Sequence, residues 1–265
     1  MSHLPLDRNP NVFKVLGVKL STNTEQIPEL NFSGKLFDIE QIIHRWMKRI
    51  LTPLGKIVII KSLHVSKLNY LCMLLPNPPG DFFKQLYKIL FKFLWNEKPD
   101  KINRITICKS VKEGGLGMID IVKFVQSLKL IWIRKLADVS LDNNWKTLFF
   151  SSQENCHLFL QMGTDFYRIK EKMLKNSFWK DCLEAFCKFS SRISILNYDE
   201  FVTEPVFYNP KIIVDKISFF YSHWFDKGVS HFLNERGDYI SLDEFHARFG
   251  IETSFLQYYG VIQAI

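Results

Sequence analysis

The residues of this chain best spaced for chemistry are cations. Arg45, Lys48 and Arg49 stand together, Lys56, Lys61 and Lys67 follow at five and six, and Lys84, Lys88 and Lys92 stand four apart. On a helix, residues four apart share a flank, about 6 Å per step, so the last three form a row. Like charges so placed repel by a few tenths of a kcal/mol, and a polyanion lying along the row reverses that cost. The chemistry these nine side chains offer is the binding of phosphates. Plain solvation of the same cationic faces is the other reading of the pattern.

Groups that make or break bonds are not arranged for it. Nucleotidyl transfer needs carboxylates that hold two divalent ions, and the 265 residues contain no Asp-Asp dipeptide. Cys182 and Cys187 lack a second Cys/His pair at finger spacing, so both read as core. The seven histidines are scattered. His44, on the cationic side of its helix, reads as a phosphate contact or as simply solvated. Glu113-Gly114-Gly115-Leu116-Gly117 has neither the P-loop nor the dinucleotide spacing, and reads as a tight turn ahead of a helix capped by Asp120. No catalytic residue, metal or cofactor is expected.

Helices must position the cations. Ile39, Ile42, Ile43, Trp46, Met47 and Ile50 recur with helical period, leaving His44, Arg45, Lys48 and Arg49 on the opposite side. Thr52-Pro53 restarts the chain as N-cap and first helical residue, and Ile57, Ile60, Leu63 and Leu68 carry the next stripe. After Pro76, Pro78 and Pro79, Asp81 caps a helix to about Trp95, burying Phe83, Leu86, Tyr87, Leu90 and Leu94. The spacing predicts a further helix over 121–137, burying Phe124, Leu128, Ile131, Trp132 and Leu136. Trp46 and Trp132 read as core, and Trp95, beside a turn, as more open. A base stacked on such a ring is worth about 1–3 kcal/mol, and burial at least as much.

Short strands are expected within 12–20 and around residue 105, where Arg104-Ile105-Thr106-Ile107 leans β. Further on, Trp145, Phe149, Phe150, Phe159 and Phe166 supply core without a firm period. Ser177 should cap a helix to Phe189, and residues 205–210 break the chain. A helix or strand follows at 211–219. Ser241-Leu242-Asp243-Glu244 is a capping box for a helix to about Phe249, and Thr253 or Ser254 caps the last one.

Charge is concentrated. Residues 1–44 carry a net −1, residues 45–135 carry +13, and residues 136–265 carry −4. One cationic block favours polyanionic partners. At 47% hydrophobic and 23% charged the composition is that of a globular protein. No stretch of about 18 uncharged apolar residues occurs, so no membrane span is expected. The first residues, MSHLPLDRNPNVFK, lack an apolar secretory core, and five cysteines at irregular spacing suit a reducing compartment. An intracellular protein, nuclear or cytoplasmic and not secreted, is the expectation.

The cationic block also carries a resemblance. Residues 46–70, WMKRILTPLGKIVIIKSLHVSKLNY, resemble the segment after the polymerase palm in reverse transcriptases of LINE-type (non-LTR) retrotransposons. Leu75-Pro76-Asn77-Pro78, Phe91-Lys92-Phe93-Leu94-Trp95-Asn96, Glu113 to Met118 and Leu128 to Ile133 follow in the order that family uses. Phe13 to Val18 looks like the last palm strand, near the element supporting the primer end. The resemblance covers nearly the whole chain, strongest from 40 to 135 and looser thereafter, where residues 204–212, EPVFYNPKI, and the stretch that follows look like the region after the thumb.

The resemblance implies 1–30 as the end of a palm, 31–138 as a basic helical thumb-like domain, and 139–265 as a mostly helical C-terminal segment. The whole is expected to be mainly α, with a few short strands near the N-terminus and around residue 105. An intact relative is an RNA-directed DNA polymerase, whose catalytic palm would lie upstream of Met1. This chain is then expected to bind RNA, single-stranded DNA or their hybrid by the backbone without catalysis, with a palm supplied, if at all, by a protein partner. No membrane partner is expected. A helical protein-interaction module, or an inert translated fragment of a decayed element, fits the same residues.

Overall fold

The chain folds as a mainly α protein with two short antiparallel strand pairs among the described residues. The computed structural model describes residues 11–138, 140, 144–147, 162–170, 176–190, 205–230, 232–233 and 238–265. Phe149, Phe150 and Phe159 lie outside them. Met1–Trp132 with Ser177–Cys182 forms one unit, and Ile133–Asn176 with Leu183–Ile265 a second.

In the first unit, β1 (Val12–Val15) and β2 (Val18–Ser21) pair with Phe13 opposite Leu20. Leu16 and Gly17 both take positive φ, 48° and 86°, as a two-residue hairpin turn of matching twist requires. Asn31, on α1 (Ile27–Phe32), staples the hairpin to the helices. Its Oδ1 accepts from the Lys19 amide at 2.8 Å, and its Nδ2 donates to the Lys19 carbonyl at 2.7 Å.

α2 (Lys35–Met47) buries Ile39 and Ile43, with Ile42, Trp46 and Met47 half-buried. The helix ends at Met47, so Ile50 lies beyond it and is fully exposed rather than part of the stripe. Next, α3 (Pro53–Ile59) starts as expected, the Thr52 hydroxyl accepting from the Gly55 amide at 3.2 Å. It runs into a π-helical segment, Ile60–Val65, and then α4 (Ser66–Leu74). There the Ser62 and Ser66 hydroxyls donate to the carbonyls four residues back, at 2.8 and 2.5 Å. Such back-bonding bends helices, and a π turn inserts one residue into the register. The buried stripe accordingly steps five residues, from Ile60 to Val65, and Leu63 is left half-exposed. No single helix among the described residues is long and apolar enough to cross a membrane.

α5 (Phe82–Leu94) buries Phe82, Leu86, Leu90, Phe91, Phe93 and Leu94, with Phe83 and Tyr87 half-buried. Asp81 stands at the N-cap position of the helix without a side-chain cap bond, its carboxylate lying 3.9 Å from Lys84 instead. Trp95 closes it 7% exposed, inside the core rather than open. The expected strand around residue 105 is instead α6 (Arg104–Cys108). Asn103 caps it, accepting from the Ile105 amide at 2.8 Å, and that cap outweighs the β-branched content of the segment. In the glycine-rich loop, a Cβ on Gly115 would fall 2.1 Å from the Lys109 carbonyl oxygen. Gly115→Ala should therefore cost about 1–3 kcal/mol by overpacking. Gly260→Ala, in the last helix with nothing within 4 Å, should be neutral or slightly stabilising. Urea unfolding of the two variants checks this, and equal effects would contradict the tight loop. Asp120 then caps α7 (Ile121–Ala137), accepting from the Lys123 amide at 3.2 Å.

The second unit contains α8 (Thr164–Lys170) and the larger part of α9 (Ser177–Ser190). β3 (Ile213–Val214) and β4 (Ile217–Ser218) follow, then α10 (Ser222–Asp226), α11 (Leu242–Phe249) and α12 (Phe255–Ala264). Its core is aromatic: Trp224, Phe232, Phe245 and Tyr258 are at most 2% exposed, with the Trp224 and Phe245 centroids 4.8 Å apart. The caps fall where the sequence puts them. Ser241 accepts from the Glu244 amide and Ser254 from the Gln257 amide, each at 3.2 Å.

Candidate nucleic-acid interface

Eight of the nine cations read from the sequence are exposed, and the ninth is not. Lys84, Lys88 and Lys92 line one flank of α5, whose apolar side is spent on the core. Lys84 approaches Asp81 at 3.9 Å with both side chains mostly in solvent, a contact worth little. Arg45 sits in the last turn of α2, with Lys48 as its C-cap and Arg49 just after, where cations complement the helix dipole. The Arg49 guanidinium lies 4.6 Å above the Trp46 ring, so that tryptophan is half-covered rather than core. Lys61 emerges from the π segment toward the glycine-rich loop; a methyl on Gly117 would lie 3.8 Å from its Nζ. Lys67 is exposed on α4.

Lys56 is the correction. It is 2% exposed, and its ammonium donates to the Phe93 carbonyl at 2.7 Å and to Asn96 Oδ1. Those partners belong to the C-terminal turn of α5, where Glu97 N–H reaches the Lys92 carbonyl at 2.8 Å and Asn96 N–H the Phe93 carbonyl at 3.4 Å. This is a Schellman-type ending with Asn96 in the left-handed region at φ 52°. Burial holds the Lys56 pKa below its ordinary value. The side chain caps a helix and has no reach to a phosphate.

A second lysine is buried without any sequence expectation. Lys129, 1% exposed, donates to the Leu75 carbonyl, and its Nζ sits 4.2 Å from the Phe178 ring centroid. Burial lowers its pKa, opposed by the nearby Cys182, Asp181 and Cys72. Asp181 in turn accepts from the Asn77 amide at 2.7 Å. The stripe that α7 buries is Ile121, Val125, Lys129, Ile133 and Leu136, whereas Ile131 is 39% exposed. Four-residue steps from Ile121 to Ile133 pass through Lys129, which is the signal the sequence did contain.

Beside the lysine row runs a groove of about 740 Å³ between α2 and α5. Leu36, Ile43, Met47, Ile89 and Phe93 supply its apolar lining. Lys88 and Lys92 supply cations, and Glu40, Gln41, His44, Gln85 and Glu97 the remaining polar groups. Sequence reading missed the groove because its walls come from helices some forty residues apart. Among the described residues no group of three His, Cys, Asp or Glu gathers as a metal site. No protein-family model matches the chain.

Proposed function

We propose that this chain derives from the post-palm part of a LINE-type reverse transcriptase and binds RNA, single-stranded DNA or their hybrid through the phosphate backbone, without catalysing polymerisation itself. The observation that carries the reading is the exposed row Lys84, Lys88 and Lys92 on a helix whose other face is buried. The cations at the end of α2 and the net +13 of residues 45–135 support it, and the chain offers no Asp-Asp pair to hold catalytic metals. Phosphate contact positions a strand without reading its bases.

If about four phosphates are neutralised at once, log affinity should fall against log salt with a slope of roughly −3 to −4. Between 50 and 200 mM salt that is a loss of about a hundredfold. Changing Lys84, Lys88 and Lys92 together to Gln should flatten the slope by about one to two units. Titration against labelled oligonucleotides at three salt concentrations measures it, and undetectable binding at low salt would remove the reading.

A protein-interaction module is the second reading, favoured by Ile50, Leu54 and Val58. These three stand four apart and are 50% exposed or more. That reading predicts a complex with a protein that survives high salt.

A further inference from the structure

We infer that the α2–α5 groove is a base pocket: it takes one unstacked base bearing an exocyclic amino group, from the single strand whose phosphates the lysine row holds. This rests on the backbone-binding reading and adds a specificity that backbone contact lacks. The size admits it: at 740 Å³ the groove lies within the roughly 300–1,000 Å³ of small-ligand sites, and one base fills a part of it. The lining suits it as well. Met47 and Ile89 are only half-covered by protein, beside the wholly buried Phe93, leaving an apolar surface for the face of a ring. A thioether is polarizable and packs well against aromatic systems.

Charge decides the orientation. Lys88 and Lys92 belong both to the exposed row and to the groove wall, so a phosphate held by them brings its own base to the opening. Glu40 and Glu97 also line the groove and would repel phosphate there. What carboxylates accept from is an amino group, as in the pairing of Glu with cytosine N4. Gln41 and Gln85 add amide donors for the ring nitrogen and carbonyl of the same base. The position of Glu97 is set by the left-handed pair Asn96 and Glu97, φ 52° and 61°, which the buried Lys56 ties to α5. Duplex cannot use such a pocket, because its bases are stacked and their amino edges are paired. The groove therefore selects single strands, and the amino-bearing bases cytosine, adenine and guanine over uracil or thymine.

The test compares oligo-dC with oligo-dU of equal length, near neutral pH and at one salt concentration, because the two bases differ only around the amino position. Oligo-dC is expected to bind about tenfold tighter. In Glu40→Ala/Glu97→Ala the difference should vanish, while affinity for oligo-dU rises or holds. If the carboxylates act only by repelling phosphate, the double variant instead raises both affinities equally and leaves any ratio unchanged, which overturns the inference. Met47→Trp, which fills the groove, and Gln85→Ala, on its exposed edge, should each cut the ratio. Equal binding of oligo-dC and oligo-dU by the wild type, with the salt slope intact, sinks the pocket and leaves backbone binding standing. Failure of both to bind at low salt removes both.

Discussion

Lys129→Ala should destabilise the protein by about 2–5 kcal/mol. The side chain is 1% exposed, so its four-methylene stem packs as a buried Met or Leu would, and truncating those costs that much. The Leu75 carbonyl also loses its donor, and an orphaned buried acceptor costs about 1–3 kcal/mol. Against this, removing a charge that burial disfavours returns part of the loss. Lys129→Met separates the contributions, since it keeps the stem volume and removes only the ammonium. It should cost markedly less than the alanine. Lys88→Ala, on an exposed face, should stay within about 0.5 kcal/mol. Urea unfolding of the three variants in the full chain gives the comparison. A Lys129→Ala as mild as Lys88→Ala would mean that the lysine is outside and that α7 packs on a different face.

Stability should collapse in alkali. Burial raises the thiols of Cys72 and Cys182 from 9.0 to about 12, and both residues are 0% exposed. Between those values the unfolded thiol loses its proton while the folded one keeps it. Stability supplied by the thiols is thus complete below pH 9 and lost as pH rises toward 12. Each contributes a slope of up to about 1.4 kcal/mol per pH unit. Tyr87 and Tyr258, raised by burial from 10.0 to about 12, add to the fall above pH 10. Lys56 and Lys129 act in the opposite sense. Their folded pKa values are lowered by burial, so up to pH 10.5 the unfolded state holds more protons and stability gains with pH. Above 10.5 that compensation is exhausted. The urea midpoint should therefore change little between about pH 9 and 10, where the lysines offset the thiols, and fall steeply beyond 10.5, and Cys72→Ala/Cys182→Ala should flatten that fall. An unchanged curve in the double variant would mean that the thiols are not buried as described.

The sequence by itself determined where four of the helices begin and which flank of α5 meets water. Thr52, Asp120, Ser241 and Ser254 each cap the helix they announce, because an N-cap is a contact between residues two or three apart and needs nothing distant. The row Lys84, Lys88 and Lys92 was legible for the same reason, as the apolar positions around it repeat with helical period. What a segment meets across the fold was not legible. Two kinds of contact within four residues were equally hidden, because the β-branched and apolar residues around them spell other patterns: the Asn103 cap that makes α6, and the serine back-bonds of the π segment that move the buried stripe by one residue. Lys56 looks like any other cation in sequence, and Lys129 differs only by its place in the four-residue steps from Ile121 to Ile133. Their partners, the carbonyls of Phe93 and Leu75, lie 37 and 54 residues away, and only the packed chain brings a buried acceptor to each. The groove between α2 and α5 belongs to the same class, since neither wall encloses a volume until the other is packed against it.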